Sequence, residues 1–193
     1  MNPYNFFDKI VCINLDTRKD KRKYVSDLFK KLNIPFEFYV AKKSKYGGTY
    51  GCFDSHINII KKAYKEGHKN ILIFEDDITP TYYYNNKNVK KCVEFMKKNN
   101  TWEIFYLGYC APMLYKKKWS SEIYKVFYPI KYDKNIFIGN PLCAHSYAVN
   151  RRAMKNIIDK SKYYLDNPSI TQHYDTFLNI YIKNGYFFKN ILF

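Results

Sequence analysis

The stretch Asn70-Ile71-Leu72-Ile73-Phe74-Glu75-Asp76-Asp77 joins an apolar run of strand composition to three consecutive acids. Such a run is typical of a buried strand in an α/β sheet, where ligands collect beyond the carboxyl ends of the strands. Adjacent carboxylates repel one another, so a cation would stabilise the cluster. Oxygen ligands favour a hard ion such as Mg²⁺ or Mn²⁺. The alternative interpretation is an exposed acidic turn after the strand.

The three acids are expected to divide between two faces, because side chains alternate while a strand persists. Glu75 and Asp77 would then point one way, as candidates for metal and ribose contacts. Asp76 would point the other way and hold the loop, near the nucleotide, by accepting hydrogen bonds. These roles exchange if the chain leaves the strand at Phe74.

Apolar runs with strand propensity alternate with segments of helical period along the whole chain, which predicts an α/β fold. The pattern predicts one domain over residues 1–193, whose apolar tail is either a final strand or the cut end of a longer chain. Besides the strand that ends in the acids, it predicts strands over 9–14, 36–40, 103–107 and 146–149, helices over 18–32, 53–66, 89–98, 151–160 and 173–184, and a hairpin with a loop over 108–140.

The charge balance is strongly basic, with a formal net charge of +16. Such a balance suggests nucleic acid, an anionic membrane surface or an acidic substrate as a partner. The lysines are scattered over the whole chain, so charge alone discriminates weakly. A basic module that stacks bases on its tyrosines is one alternative function, but it leaves the acid cluster unexplained. We therefore expect no specific nucleic acid partner.

The five cysteines are widely spaced and form no CxxC pair, so their spacing indicates neither a zinc site nor a disulfide framework. Reduced thiols in a cytosol fit this pattern better. The N-terminus lacks a signal core, and no apolar run has spanning length. These observations predict a soluble cytoplasmic protein, with at most peripheral association with an anionic membrane.

Six short motifs occur in the order and spacing of one protein family. They are INLDTRKDKR at 13–22, which resembles INLxxRxxR, GCFDSH at 51–56, which resembles GCxxSH, EDD at 75–77, and the weaker signatures YLG at 106–108, AHSYAV at 144–149 and Asp175. On these residues the chain resembles glycosyltransferase family 25, which includes lipooligosaccharide galactosyltransferases and hydroxylysine-directed collagen glycosyltransferases.

The resemblance implies a GT-A fold, a Rossmann-like nucleotide-sugar-binding fold with a mixed central sheet flanked by helices. It also implies a UDP-sugar donor, Mn²⁺ or Mg²⁺, and inverting transfer of galactose or glucose to a hydroxyl of a glycan or a hydroxylysine-containing protein. A catalytically silent scaffold of the same fold is a second alternative. Retention of the whole EDD motif argues against it.

The first half of the chain supplies the candidate nucleotide contacts. Asn14, Leu15 and Arg18 lie where a turn leads from the first strand into a helix, which favours contact with anionic oxygens. The competing interpretation places Arg18 on a solvated helix face. Ser55 and His56 lie near the start of the second helix and, by the family motif, near the donor. Alternatively, Ser55 caps that helix and His56 is structural.

The second half supplies the candidates for the acceptor side. Asp175 is the candidate base that takes the proton of the acceptor hydroxyl, and His145 is the second catalytic candidate. Asp175 would otherwise be a helix N-terminal residue stabilised by the macrodipole. His173 is expected to be either a third metal ligand or a helix cap.

Overall fold

The computed structural model of the chain describes residues 1–110 and 130–193. The elements in chain order are a 3₁₀ turn Pro3–Phe6, β1 Lys9–Leu15, α1 Lys19–Leu32, β2 Glu37–Ala41, α2 Gly48–Lys65, β3 Asn70–Glu75, α3 Asn86–Lys98, β4 Ile104–Cys110, β5 Ile130–Lys131, β6 Ile136–Ile138, β7 Leu142–Asn150, α4 Arg151–Asp166, a 3₁₀ turn Pro168–Ile170, α5 Tyr174–Tyr181 and β8 Gly185–Phe188. Among these helices, none is both long and apolar enough to cross a membrane.

The strands form one mixed sheet in the order β2-β1-β3-β7-β4-β8-β6-β5. β1 pairs in parallel with β2 and β3, and β7 runs antiparallel between β3 and β4. The carboxyl ends of β1, β3 and β4 therefore meet the amino end of β7 at one edge of the sheet. The predicted α/β fold with a mixed central sheet is confirmed, and this edge is where the EDD motif lies.

Helices cover both faces of the sheet, which explains the continuous apolar composition of β3. Leu72 and Phe74 belong to the core on the side of α1 and α3, whereas Ile71 and Ile73 belong to the core under α2, α4 and α5. All four side chains are fully buried, and each contributes roughly 1.5–3 kcal/mol through burial. Continuing this alternation turns Glu75 toward α2 and Asp76 toward α1.

Several predicted boundaries differ from the structure. α2 begins at Gly48 rather than at Phe53, with Gly47 as its N-cap at φ +95°. Glycine has a low helix propensity, so the sequence does not predict this first turn. β7 spans nine residues instead of four, and β4 continues to Cys110. Within the predicted hairpin and loop, β5 and β6 pair as a hairpin, and residues 111–129 lie outside the described residues.

The prediction that all the cysteines are reduced is wrong for Cys110 and Cys143, which are joined by a disulfide with 5.4 Å between their Cα atoms. The two residues lie at the paired ends of β4 and β7. A separation of 33 residues along the sequence does not indicate a disulfide. The two cysteines meet because β4 and β7, which are not consecutive strands, pair with each other. Cys12 and Cys92 are free and buried, and Cys52 is free and exposed.

Candidate functional site

Two adjacent cavities lie at the edge of the sheet where β1 and β3 end. The basic cavity, of about 490 Å³, is lined by Ile13, Leu15, Arg18, Ala41, Lys42, Lys43, Ser44, Gly47, Gly48, Gly51, Cys52, Ser55, His56, Glu75 and Asp76. The acidic cavity, of about 480 Å³, is lined by Cys52, Glu75, Asp77, Ile78, Thr79, Cys143, Ala144, His145, His173, Tyr174, Asp175 and Phe193. Cys52 and Glu75 line both cavities and therefore form the partition between them.

Asp76 is the centre of a polar network that ties β3 to β1 and to the start of α1. It is 5% exposed and accepts a hydrogen bond of 2.7 Å from Asn14 Nδ2. Its other carboxylate oxygen lies 2.7 Å from Arg18 Nη1. Burial raises the pKa of Asp76 above its usual value, although Asn14 and Arg18 act in the opposite direction. This network holds the Arg18 side chain at the wall of the basic cavity.

Asn14 lies behind that wall and lines neither cavity. Its side-chain oxygen accepts a hydrogen bond of 2.9 Å from Arg22 Nε, and the residue is 1% exposed. Arg18 and Arg22, the two arginines of the first motif, therefore belong to one network. The sequence alone also allowed Arg18 to lie on a solvated helix face. Asn14 acts on the basic cavity through Asp76 and Arg18.

Glu75 is held by a chain of hydrogen bonds that passes through three buried rings. Glu75 Oε1 lies 3.2 Å from His56 Nε2, and His56 Nδ1 lies 2.9 Å from the Tyr147 hydroxyl. Tyr147 in turn donates to the Tyr174 hydroxyl at 3.0 Å, and the Tyr174 ring stacks on His56 with 4.2 Å between the ring centroids. The chain links α2, β3, β7 and α5 at the partition.

His56 is fully buried, and its environment favours the charged imidazolium. Burial lowers the pKa of His56, but interactions with Cys52 and Glu75 outweigh burial and raise this pKa to about 9. This shift favours a charged His56 ring beside Glu75.

The remaining residues predicted on the nucleotide side lie along the basic cavity. Leu15 and Arg18 line it where β1 ends, and Lys42 and Lys43 line it after β2. Ser55 also lines it but lies well inside α2, where its hydroxyl donates to the Gly51 carbonyl at 2.7 Å. The alternative that Ser55 caps the helix is wrong, because α2 begins at Gly48.

The residues predicted on the acceptor side come together along the acidic cavity. Asp175 Oδ2 accepts a hydrogen bond of 2.9 Å from the Cys143 amide, and Oδ1 accepts one of 2.7 Å from the Thr176 amide. His145 Nε2 lies 3.1 Å from the Phe193 carbonyl. His173 is the N-cap residue of α5, but its side chain makes no cap hydrogen bond. The two backbone amides fix the orientation of the Asp175 carboxylate.

Glu75, Asp77 and His173, the predicted metal ligands, all line the acidic cavity. Their ligand atoms do not form a compact group of three within 4.8 Å, whereas those of Cys52, His56 and Glu75 do. Asp77 and His173 are exposed and Glu75 is half-buried. A phosphate-bound ion held by one or two carboxylates is compatible with this arrangement.

Several residues of the site were missed by sequence reasoning. Cys52 lies one helical turn before His56, a spacing that is visible in the sequence once α2 is known to include both. Lys42 and Lys43 are two lysines among many, and the composition hides them. Tyr147 and Tyr174 carry no sequence signal of their hydrogen bonds, because strand pairing and the docking of α5 bring them to His56.

Comparisons with known proteins agree with this architecture. The family profile described as glycosyltransferase family 25 (LPS biosynthesis protein) matches residues 46–177. A putative glycosyltransferase of Haemophilus influenzae is 26% identical over 174 residues, an alignment that covers 78% of this chain and 56% of that protein. The chain thus spans only about half the length of this curated relative.

Two solved structures share the fold at low sequence identity. The crystal structure of a glycosyltransferase involved in the glycosylation of the major capsid of PBCV-1 aligns with a TM-score of 0.51 and 12% identity, covering 90% of this chain and 75% of that one. UDP-glucose pyrophosphorylase complexed with UDP-glucose aligns with a TM-score of 0.50 and 8% identity, covering 93% and 72%. These similarities confirm a GT-A-like fold. The family match covers more than half of the sequence, and the chain therefore belongs to glycosyltransferase family 25.

Proposed function

We propose that this chain transfers a hexose, galactose or glucose, from a UDP-sugar to a hydroxyl group of a glycan or of a hydroxylysine-containing protein. The observation that carries the proposal is the position of Glu75 in the partition between the basic and acidic cavities. Transfer needs one compartment for an anionic nucleotide and another for the sugar and its acceptor. A carboxylate between the two would lie beside the bond that breaks.

The charge of the basic cavity suits a nucleoside diphosphate. Arg18, Lys42 and Lys43 line it, and cationic side chains are the usual partners of phosphate oxygens. The first turn of α2, from Gly48, adds backbone N–H groups and the positive end of an 18-residue helix. Leu15 contributes apolar surface to the same wall. We assign UDP to this cavity, with Arg18, held by Asp76 and Asn14, as the central anion contact.

The donor atoms at the partition fit Mn²⁺ or Mg²⁺. Glu75 and Asp77 offer carboxylate oxygens to the acidic cavity, and His173 offers a ring nitrogen to the same cavity. Such ions are commonly bound by one or two carboxylates together with substrate phosphates and water. In the proposal Asp77 and Glu75 hold the ion, with His173 as a third ligand. When bound, the ion would offset the negative charge that develops on the leaving diphosphate.

Asp175 is the proposed general base. Its carboxylate is oriented by the Cys143 and Thr176 amides. Oδ1 also accepts from the Thr176 hydroxyl, so Oδ2 is the oxygen that keeps a second lone pair for the acceptor proton. The acceptor oxygen would form a bond to the anomeric carbon while the bond from that carbon to the phosphate oxygen breaks. The proton moves to Asp175 and the electron pair leaves with UDP, so the configuration inverts without a covalent enzyme intermediate. His145, also in this cavity, is proposed to contact the acceptor.

The direct test is a screen of nucleotide sugars for hydrolysis and for transfer to glycan and hydroxylysine-containing peptide acceptors. We expect UDP-galactose or UDP-glucose to be consumed in the presence of Mn²⁺, and other nucleotide sugars to be consumed far more slowly. The Asp175→Asn variant serves as the matched negative control. Turnover of none of the UDP-hexoses, with UDP binding absent as well, would overturn the proposal and favour the silent scaffold.

A further inference from the structure

A second group of metal-ligand atoms lies in the partition itself. Cys52 Sγ, a ring nitrogen of His56 and a carboxylate oxygen of Glu75 all lie within 4.8 Å of one another. Cys52 and His56 are four residues apart on α2, so they share a helix face, and Glu75 approaches from the end of β3. The group combines sulfur, nitrogen and oxygen, unlike the oxygen-rich set that suits Mg²⁺ or Mn²⁺.

The hydrogen bonds around His56 leave room for a proton or a metal ion between the ring and Glu75. Tyr147 donates its hydroxyl proton to Tyr174, so it can only accept from His56 at Nδ1, which must carry a proton. Nε2 faces Glu75 Oε1 at 3.2 Å. If Nε2 presented a bare lone pair, it would meet the lone pairs of a carboxylate. In the metal-free chain a second proton therefore lies between these two atoms, and a metal ion bound there would take its place.

The geometry suits a tetrahedral ion. Bonds of about 2.0 Å from zinc to nitrogen and to oxygen place those two ligand atoms about 3.3 Å apart, and the observed separation is 3.2 Å. The exposed Cys52 thiol completes three protein ligands. Both cavities open onto this group, which leaves a fourth position for water or a ligand oxygen. A hydrogen bond to the second nitrogen of a ligating histidine is the usual supporting contact, here supplied by Tyr147.

We propose that Cys52, His56 and Glu75 form a binding site for Zn²⁺ or a chemically similar soft divalent ion. Thiolate and imidazole ligands favour zinc over manganese or magnesium. The site shares Glu75 with the proposed Mn²⁺ site, so zinc would withdraw this carboxylate from the manganese ion. Zinc is therefore expected to act as a competitor of manganese at the partition. The zinc site itself does not depend on sugar transfer and can be tested without any nucleotide.

The test uses Co²⁺ alone as a spectroscopic substitute for zinc, followed by competition with Zn²⁺. The parental protein should bind one Co²⁺ with the near-ultraviolet charge-transfer band of a thiolate ligand, and Zn²⁺ should abolish that band. Cys52→Ser should lose the band and should weaken Zn²⁺ binding by at least about tenfold. Tyr147→Phe should keep the band and weaken binding by about 10–100-fold, as expected on losing a supporting contact of a ligand.

Two control variants identify the site that holds the ion. Asp77→Asn should keep the thiolate charge-transfer band, because Asp77 is not one of the three proposed zinc ligands. The double variant Cys110→Ser with Cys143→Ser removes the sulfur atoms of the other cluster, which includes His145, and should also keep the band. Melting curves establish that each variant is folded. A parental protein without the band, a band that persists in Cys52→Ser, or one that disappears in the double variant would overturn the proposal.

Discussion

His56 Nε2 lies 3.2 Å from Glu75 Oε1 and fixes the carboxylate in the partition between the two cavities. The imidazole is fully buried, whereas the Glu75 side chain is 33% exposed. One residue of the pair therefore belongs to the core and the other faces the cavities. Through Tyr147 and Tyr174, the position of Glu75 is also coupled to α5, which carries Asp175.

The His56–Glu75 pair predicts a pH dependence of stability. The pKa of His56 is raised to about 9 in the folded chain, against about 6.5 in an unfolded chain. The stabilisation is therefore fully present below about pH 6.5 and is lost as the pH rises through about 9. Cys52 and Glu75 both raise this pKa, so Glu75→Gln removes part of the stabilisation. The change should lower the free energy of unfolding by about 1–2 kcal/mol at pH 6 and by much less at pH 9.5.

Urea unfolding of both proteins at the two pH values measures this difference. Glu94→Gln, a change at an exposed carboxylate on α3, is the control and should show the parental pH dependence. An equal effect of Glu75→Gln at both pH values would show that the pair is not ionised in the folded chain.

Gly108 is expected to tolerate no side chain. A Cβ atom there would lie 2.7 Å from His145 Cδ2 and 2.9 Å from the Phe193 carbonyl oxygen. Gly108→Ala should therefore destabilise the chain by about 1–3 kcal/mol, the usual cost of overpacking. Gly48→Ala is the matched control, because a Cβ there meets nothing within 4 Å and helix propensity favours alanine by up to about 1 kcal/mol. Melting temperatures should move in opposite directions, and a parallel decrease would contradict this explanation.

The disulfide between Cys110 and Cys143 should contribute measurably to stability. It closes a separation of 33 residues, for which loop entropy predicts about 2–4 kcal/mol. A reductant should lower the melting temperature of the parental protein and leave that of the Cys110→Ser, Cys143→Ser double variant unchanged. Equal melting temperatures with and without reductant in the parental protein would show that the pair is not oxidised in solution.

The sequence predicts the features of the site that depend on neighbouring residues. It does not predict those that depend on contacts between residues far apart in the chain. Short-range patterns are visible directly in the sequence. They indicate the acids after β3, the position of Arg18 at the end of β1 and the opposite faces of the sheet to which Glu75 and Asp76 point. The insertion of β7 between β3 and β4 depends on long-range pairing. That pairing brings Tyr147 to His56 and Cys143 to Cys110, and neither contact leaves a periodic signal. The early start of α2 was missed because its first turns contain Gly48 and Gly51.

The proposed roles of Asp77 and Asp175 predict different phenotypes. Asp77→Asn should reduce Mn²⁺-dependent UDP binding and sugar transfer together. Asp175→Asn should leave UDP binding nearly intact while transfer falls by about 10²-fold or more, as expected on losing a positioned base. The amide nitrogen of asparagine would face a backbone N–H that now donates to the carboxylate, so a loss of about 1–3 kcal/mol in stability is also expected. Parental transfer by Asp175→Asn would rule out its role as the base.

Calorimetric titration of UDP into the chain, with Mn²⁺ and then with EDTA, tests the central claim most directly. An oligonucleotide is the comparison ligand, because the net charge of +16 should attract it weakly, independently of Mn²⁺ and with a strong dependence on salt. We predict that UDP binds at least tenfold more tightly with Mn²⁺ than with EDTA, roughly 1.4 kcal/mol in binding free energy, and that Asp77→Asn removes the difference. UDP binding that is absent or independent of metal, or oligonucleotide binding that is tight and selective at physiological salt, would contradict the account.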